Sequence, residues 1–154
     1  MADPDLRALL REVPSPVGVI TVQLADEAAG LTVDSFVALS LEPPLFGVAL
    51  RRHAALHELL REAGAFAVSI LASEQEHLAQ HFARGIPPIA HWTGIETERG
   101  QLDAPLLAGA LGWIECRLAS EHELGDHTLF VGAVASARRG PGRDALVHLR
   151  RAYM

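Results

Sequence analysis

Apolar residues in this chain fall into two spacings, one helical and one strand-like. Leu6, Leu9, Leu10 and Val13 recur at helical intervals across residues 3–13, and the Pro-Ser-Pro run at 14–16 ends that pattern. The stretch VGVITVQLA (17–25) is rich in β-branched residues and predicts a strand. Residues 30–50 predict two strands, with Pro43 and Pro44 between them because proline cannot donate to a central ladder. Residues 53–64 predict a helix, with Leu56, Leu59, Leu60 and Ala63 on one face and Gly64 as its stop. A strand is expected over 65–72. A second helix is expected over 73–83, with Ser73 as N-cap and Glu76 completing a capping box. Residues 84–105 predict an irregular connection. Residues 112–124 and 127–140 predict a long hairpin turning at Gly125-Asp126, and 144–153 a last short strand.

Strands dominate and do not alternate regularly with helices, which argues against a parallel doubly wound sheet. The expected fold is mainly β with short inserted helices: a closed or nearly closed antiparallel barrel. The length of 154 residues suits one domain over 1–154. An apolar fraction of 49% beside 21% charged residues marks a globular chain. A net charge of −6 argues against non-specific binding to nucleic acid or anionic membrane. No apolar run approaches a membrane span, and the acidic first residues lack the apolar centre of a signal peptide, so a cytoplasmic protein is expected. The single cysteine, Cys116, excludes an internal disulfide and a four-thiolate metal site.

Several chemistries have no signature here. There is no glycine-rich dinucleotide fingerprint after a strand, no Walker A loop and no G-x-S-x-G elbow. His77 and His81 are spaced to share an ion, but no third ligand is evident. Cys116, between Glu115 and Arg117, is expected to be a buried, inert thiol. RRGPGR (138–143) is expected to be a solvated basic turn. The run HELGDHTLFVG (122–132) is less ordinary: a glycine, a carboxylate and an imidazole lead directly into a strand.

Three segments resemble the flavin reductase-like family. GLTVDSFVALSLEPPL is similar to its G-x-T-x-N-S-F-x-S-x-S-x-x-P-P-L stretch. LRRHAALHELLREAGAFAVSIL resembles a segment of an arginine, small hydroxyl residues, a helix, G-x-F and a strand. GALGWIECRLASEHELGDHTLFVGAV is similar to the family's G-A-L-x-x-L-E-C and the G-D-H that follows, and the closing HLRRAY resembles its aromatic-rich end. The resemblance implies a split antiparallel β-barrel that binds FMN or FAD and reduces it with NADH or NADPH. It also implies a homodimer, and a flavin-dependent monooxygenase as the partner receiving reduced flavin. A mean hydropathy of +0.19 suits a buried dimer face.

By the same resemblance the cofactor contacts are Thr32, Val33, Asp34, Ser35, Ala38, Leu39 and Ser40 on one lean strand. Arg52, His53 and Ala54 ahead of the helix, Asp126, and Tyr153 near the end complete the set. Backbone amides of that strand, with the Thr32 and Ser35 hydroxyls, would meet the polar edge of the ring. Arg52 and the helix N-terminus would meet the phosphate. His127, assigned as the catalytic residue, would lie by the nicotinamide, with Asp126 orienting its ring; hydride transfer needs two stacked rings rather than a strong acid or base. The chain departs from the family pattern at Asp34 and Ser69, where asparagine is usual, and at His53 and Ala54, where small hydroxyl residues are usual. Two other readings follow: a flavin-binding carrier or sensor without turnover, and an oxidase of a phosphorylated cofactor such as pyridoxamine phosphate.

Overall fold

The computed structural model describes residues 3–84 and 88–154, so residues 85–87 of the expected connection lie outside the described residues. The chain runs through α1 (Pro4–Leu10), β1 (Ser15–Pro16), β2 (Gly18–Leu24), β3 (Glu27–Val33), β4 (Phe36–Leu41), β5 (Pro44–Arg51), α2 (Ala55–Ala63) and β6 (Ala65–Ile70). A 3-10 turn (Ser73–Gln75) then leads into α3 (Glu76–Ala83), followed by α4 (Pro88–His91), β7 (Thr97–Glu98) and β8 (Leu106–Leu107). The long strands β9 (Gly112–Leu124) and β10 (His127–Arg139) follow, and the short β11 (Val147–Leu149) and β12 (Ala152–Tyr153) close the chain.

Seven strands form one antiparallel sheet in the order β3-β2-β6-β9-β10-β5-β4. The two outer strands, β3 and β4, are separated in sequence only by Asp34 and Ser35. The sheet must therefore roll until its edges meet at that corner. They meet without a ladder between them, which makes a split barrel rather than a closed one. Ile20, Val22, Val33, Phe46, Val48, Phe66, Val68 and Phe130 fill the interior, and Leu56 and Leu60 of α2 pack onto the same cluster. Each such side chain contributes about 1.5–3 kcal/mol on burial. A second cluster, with Val17, Val19, Leu71, Leu78, Phe82 and Leu107, lies under α3.

The β9–β10 hairpin forms as expected, and Gly125 at φ +64 closes its tight turn. The last glycine of the G-D-H segment has a different reason. Gly132 sits at a register shift, where a Cβ would overlap Cys116 and Phe66. Burial pushes the Cys116 thiol up to about 12, helped by the neighbouring Glu115 carboxylate, so it stays protonated and unreactive.

Several expectations are corrected. Residues 30–50 hold three strands, because the chain turns at Asp34-Ser35 between β3 and β4 as well as before Pro44. The supposed lean strand from Thr32 to Ser40 is thus two strands around a corner. Ser73 is not the N-cap of the second helix: its backbone N–H donates to the Asp144 carbonyl, and the Gln75 side chain takes the Ala72 N–H at 2.9 Å. Residues 144–153 form a hairpin, β11–β12, which joins β1 in a small separate sheet. The connection after α3 is pinned from an unexpected place. Buried Glu115 on β9 accepts the N–H groups of Gln101 (3.0 Å) and Leu102 (2.9 Å).

Candidate functional site

The corner where the barrel edges meet opens onto a cavity of about 480 Å3. β3 and its turn supply Leu31, Thr32, Val33, Asp34 and Ser35. The end of β5 supplies Ala49, Leu50 and Arg51, the approach to α2 supplies His53 and Ala54, and His127 begins β10. These segments converge because β5 is the common neighbour of β4 and β10, and because α2 leaves the end of β5. The volume lies within the usual range of small-molecule sites.

His127 is half-buried, and its Nδ1 lies 2.6 Å from Oδ1 of Asp126. That hydrogen bond is the main cause holding the Asp126 carboxyl below its ordinary range, with the His127 charge adding to it. Nδ1–H donates to Asp126, which fixes the direction of the imidazole ring. The corner hydroxyls serve the fold: Ser35 Oγ donates to the Ala49 carbonyl and Thr32 Oγ1 to the Ala79 carbonyl, both at 2.6 Å. Their oxygens keep acceptor capacity, but their protons are committed to backbone.

Arg52 and Arg51 exchange places relative to expectation. The Arg52 guanidinium is turned to Gly125 O (3.5 Å) and Glu123 (3.7 Å), where it braces the turn before His127. Arg51 lines the cavity, directly opposite His127 in the β5–β10 register. Behind it, α2 begins at Ala54 without any side-chain cap, so its first amides lack a partner from that source. Ala38, Leu39 and Ser40 lie on β4 and do not line the cavity. The structure places Tyr153 in an adjoining recess of about 240 Å3 that also takes in Thr32, Val33, Asp34 and His148. Burial raises the Tyr153 hydroxyl, with the Glu76 and Asp34 carboxylates adding to it. Ser69 does not line the cavity; its hydroxyl accepts the Leu107 N–H at 3.0 Å and serves the fold.

Sequence reasoning missed Arg51, Leu31, Ala49, Leu50 and His148. Counting register back from the Gly125-Asp126 turn across a neighbouring strand would have found Arg51, had β5 been known to pair with β10. A buried imidazole was also missed. His57 of α2 is 5% exposed, its Nε2 is 2.8 Å from Thr128 Oγ1, and its ring packs edge-on against Phe130. His57 Nδ1 makes no hydrogen bond among the described residues, with Glu58 Oε1 3.4 Å away. His81 Nε2, on the helix it shares with His77, lies 2.7 Å from the His91 carbonyl.

Known proteins resemble this chain in sequence and fold. The flavin reductase like domain model matches residues 10–154. The NADH-dependent FAD reductase of Streptomyces globisporus is 38% identical over 154 residues, covering 96% of this chain and 84% of that protein. The reductase component of 4-hydroxyphenylacetate 3-monooxygenase from Thermus thermophilus is 38% identical, covering 94% and 90%. The crystal structure of BorF, the flavin reductase component of a bacterial two-component tryptophan halogenase, superposes with a TM-score of 0.91 at 37% identity, covering 97% of this chain and 95% of that one. With a matched domain spanning nearly its whole length, this chain belongs to the flavin reductase like domain family.

Proposed function

We propose that this chain is an NADH-dependent flavin reductase that supplies reduced FMN or FAD to a flavin-dependent monooxygenase. The observation that carries the reading is the cavity itself. An imidazole held by a carboxylate faces an open strand edge, beside an uncapped helix N-terminus and a guanidinium.

The donor set fits a flavin. β3 is an outer strand of its sheet, so alternate backbone groups along Leu31–Val33 have no strand partner and can meet the polar edge of the ring. Arg51, His53 and the first amides of α2 suit the phosphate. Bound there, flavin supplies the acceptor for the hydride of NADH. His127, fixed in direction by Asp126, holds the nicotinamide against that acceptor, and Leu31, Ala49 and Leu50 exclude water from the ring faces. NADH is favoured as donor because the relatives described above include an NADH-dependent enzyme.

The chain acts as a homodimer in this reading. Val37, Leu39 and Leu41 are 52%, 44% and 88% exposed along β4, an apolar strip at the open edge of the sheet that begins beside the corner at Ser35. A second copy seated there would cover the strip and wall the cavity. The expected compartment is the cytoplasm, where NADH is supplied. Among the described residues no helix is long and apolar enough to cross a membrane.

The test is NADH oxidation, followed by absorbance, with and without added FMN or FAD. The reading expects consumption only with flavin, and a roughly hundredfold lower kcat/KM in His127→Ala. A yellow protein that leaves NADH untouched would be a carrier instead, and sedimentation showing only monomers would remove the dimer.

A further inference from the structure

His57 stands on the first turn of α2, buried against the apolar cluster of the barrel. Leu56 and Leu60 of the same helix belong to that cluster, and the Phe130 ring lies 5.0 Å from the imidazole, centroid to centroid. A leucine would suit these surroundings better than an imidazole, because a buried ring nitrogen costs free energy unless it is hydrogen-bonded. Here only Nε2 is bonded, to Thr128 Oγ1, and Nδ1 is left with Glu58 Oε1 at 3.4 Å. What the imidazole adds is direction. A polar contact inside a core holds one arrangement, where apolar contacts permit several.

The bond joins two walls of the cavity. Among the described residues, side chains of α2 make two polar links to the sheet. Arg61 joins the last turn to Glu121 of β9 at the surface, with Nη2 2.7 Å from Oε1, and His57 joins the first turn to Thr128 of β10 inside. That first turn follows His53 and Ala54, which line the cavity, and it has no side-chain cap to hold it. Thr128 is buried and directly follows His127. Successive strand residues point to opposite faces, so Thr128 is held inward while His127 meets the cavity.

We propose that His57 is a positioning residue: through Thr128 it sets the spacing between the start of α2, at the flavin phosphate, and His127, at the nicotinamide. The inference rests on the reductase reading. Neither ring of the reacting pair touches His57. It acts by holding two groups in register, and a small misplacement of either lowers the rate of a step that needs two rings at close range.

The test compares the parent chain with His57→Leu and Thr128→Val made together. Replacing both partners by apolar groups leaves no buried polar atom stranded, so the fold and its denaturation midpoint should hold. The Kd of FMN should rise about tenfold in this pair while that of riboflavin, which lacks the phosphate, moves less than about twofold. The kcat/KM for NADH at saturating FMN should fall about tenfold, yet less than about twofold when the same pair is made in His127→Ala. His57→Gln, whose amide can reach Thr128, should keep both quantities within about threefold of the parent. His57→Leu alone, with Thr128 intact, repeats the measurements and should show the same losses. A contact that serves only the fold would give parental FMN affinity and kcat/KM once stability is restored. That result, equal losses for FMN and riboflavin, or an equal fall in kcat/KM with and without His127 would each overturn the proposal. A parent that binds FMN but leaves NADH untouched fails the reductase reading alone, and the two flavin titrations still decide the role of His57.

Discussion

Arg51 and His127 stand directly opposite one another where β5 pairs with β10, so a cation and an imidazole face the same cavity from adjacent strands. One backbone register therefore sets the spacing between the group suited to phosphate and the group suited to the nicotinamide. Any change that slips the hairpin would disturb both, because a one-residue shift turns every side chain to the opposite face.

The Asp126 hydrogen bond gives a pH dependence with a definite sign. Its carboxyl is held below the ordinary range by His127, so the contribution of the pair is present above the ordinary aspartate range. It is lost as pH falls through the depressed value. The kcat/KM for NADH should hold as pH falls to the usual aspartate range and collapse only below it. Asp126→Asn should cut kcat/KM by roughly tenfold at neutral pH while flavin affinity holds, since the ring loses its orientation and not its contacts.

Asp34 puts a carboxylate against the cavity proposed for the flavin, whose ring gains negative charge on reduction. At this exposed position the repulsion is about 1 kcal/mol. Asp34→Asn should tighten reduced flavin several-fold more than oxidised flavin, measured as a rise in the potential of the bound cofactor. An unchanged potential would place the ring's polar edge away from residue 34.

Beneath the site, Thr128 satisfies the only bonded nitrogen of buried His57. Thr128→Val keeps the shape and removes that partner, so unfolding in denaturant should show a loss of about 1–3 kcal/mol. A neutral result would mean that Glu58, 3.4 Å from Nδ1, holds the imidazole without Thr128.

Gly132→Ala should also destabilise the chain, by about 1–3 kcal/mol, because its new methyl enters the space of Cys116 and Phe66 in a packed interior. Thermal unfolding with flavin absent separates this effect from any change in binding.

The parts of this molecule readable in its sequence are those with local signals. The β9–β10 hairpin carries long runs and a glycine turn, and α2 has a clean apolar face and Gly64 at φ +68 to stop it. The break between β3 and β4 was hidden because no glycine or proline marks Asp34-Ser35, and the corner exists only where a rolled sheet brings its edges together. Arg51 and Arg52 could not be told apart, since their facing depends on the pairing of β5 with β10. The β11–β12 turn was invisible because two arginines are not turn residues by preference. Glu115 looked like an exposed strand position until the loop carrying Gln101 and Leu102 folded over it.

The most direct test of the whole account is a crystal structure of the protein soaked with FMN. The account predicts the ring against Thr32–Ser35, its phosphate at Arg51 and the start of α2, and the His127 imidazole across the cavity from the ring. Density for FMN elsewhere on the molecule, with this corner still open, would contradict it.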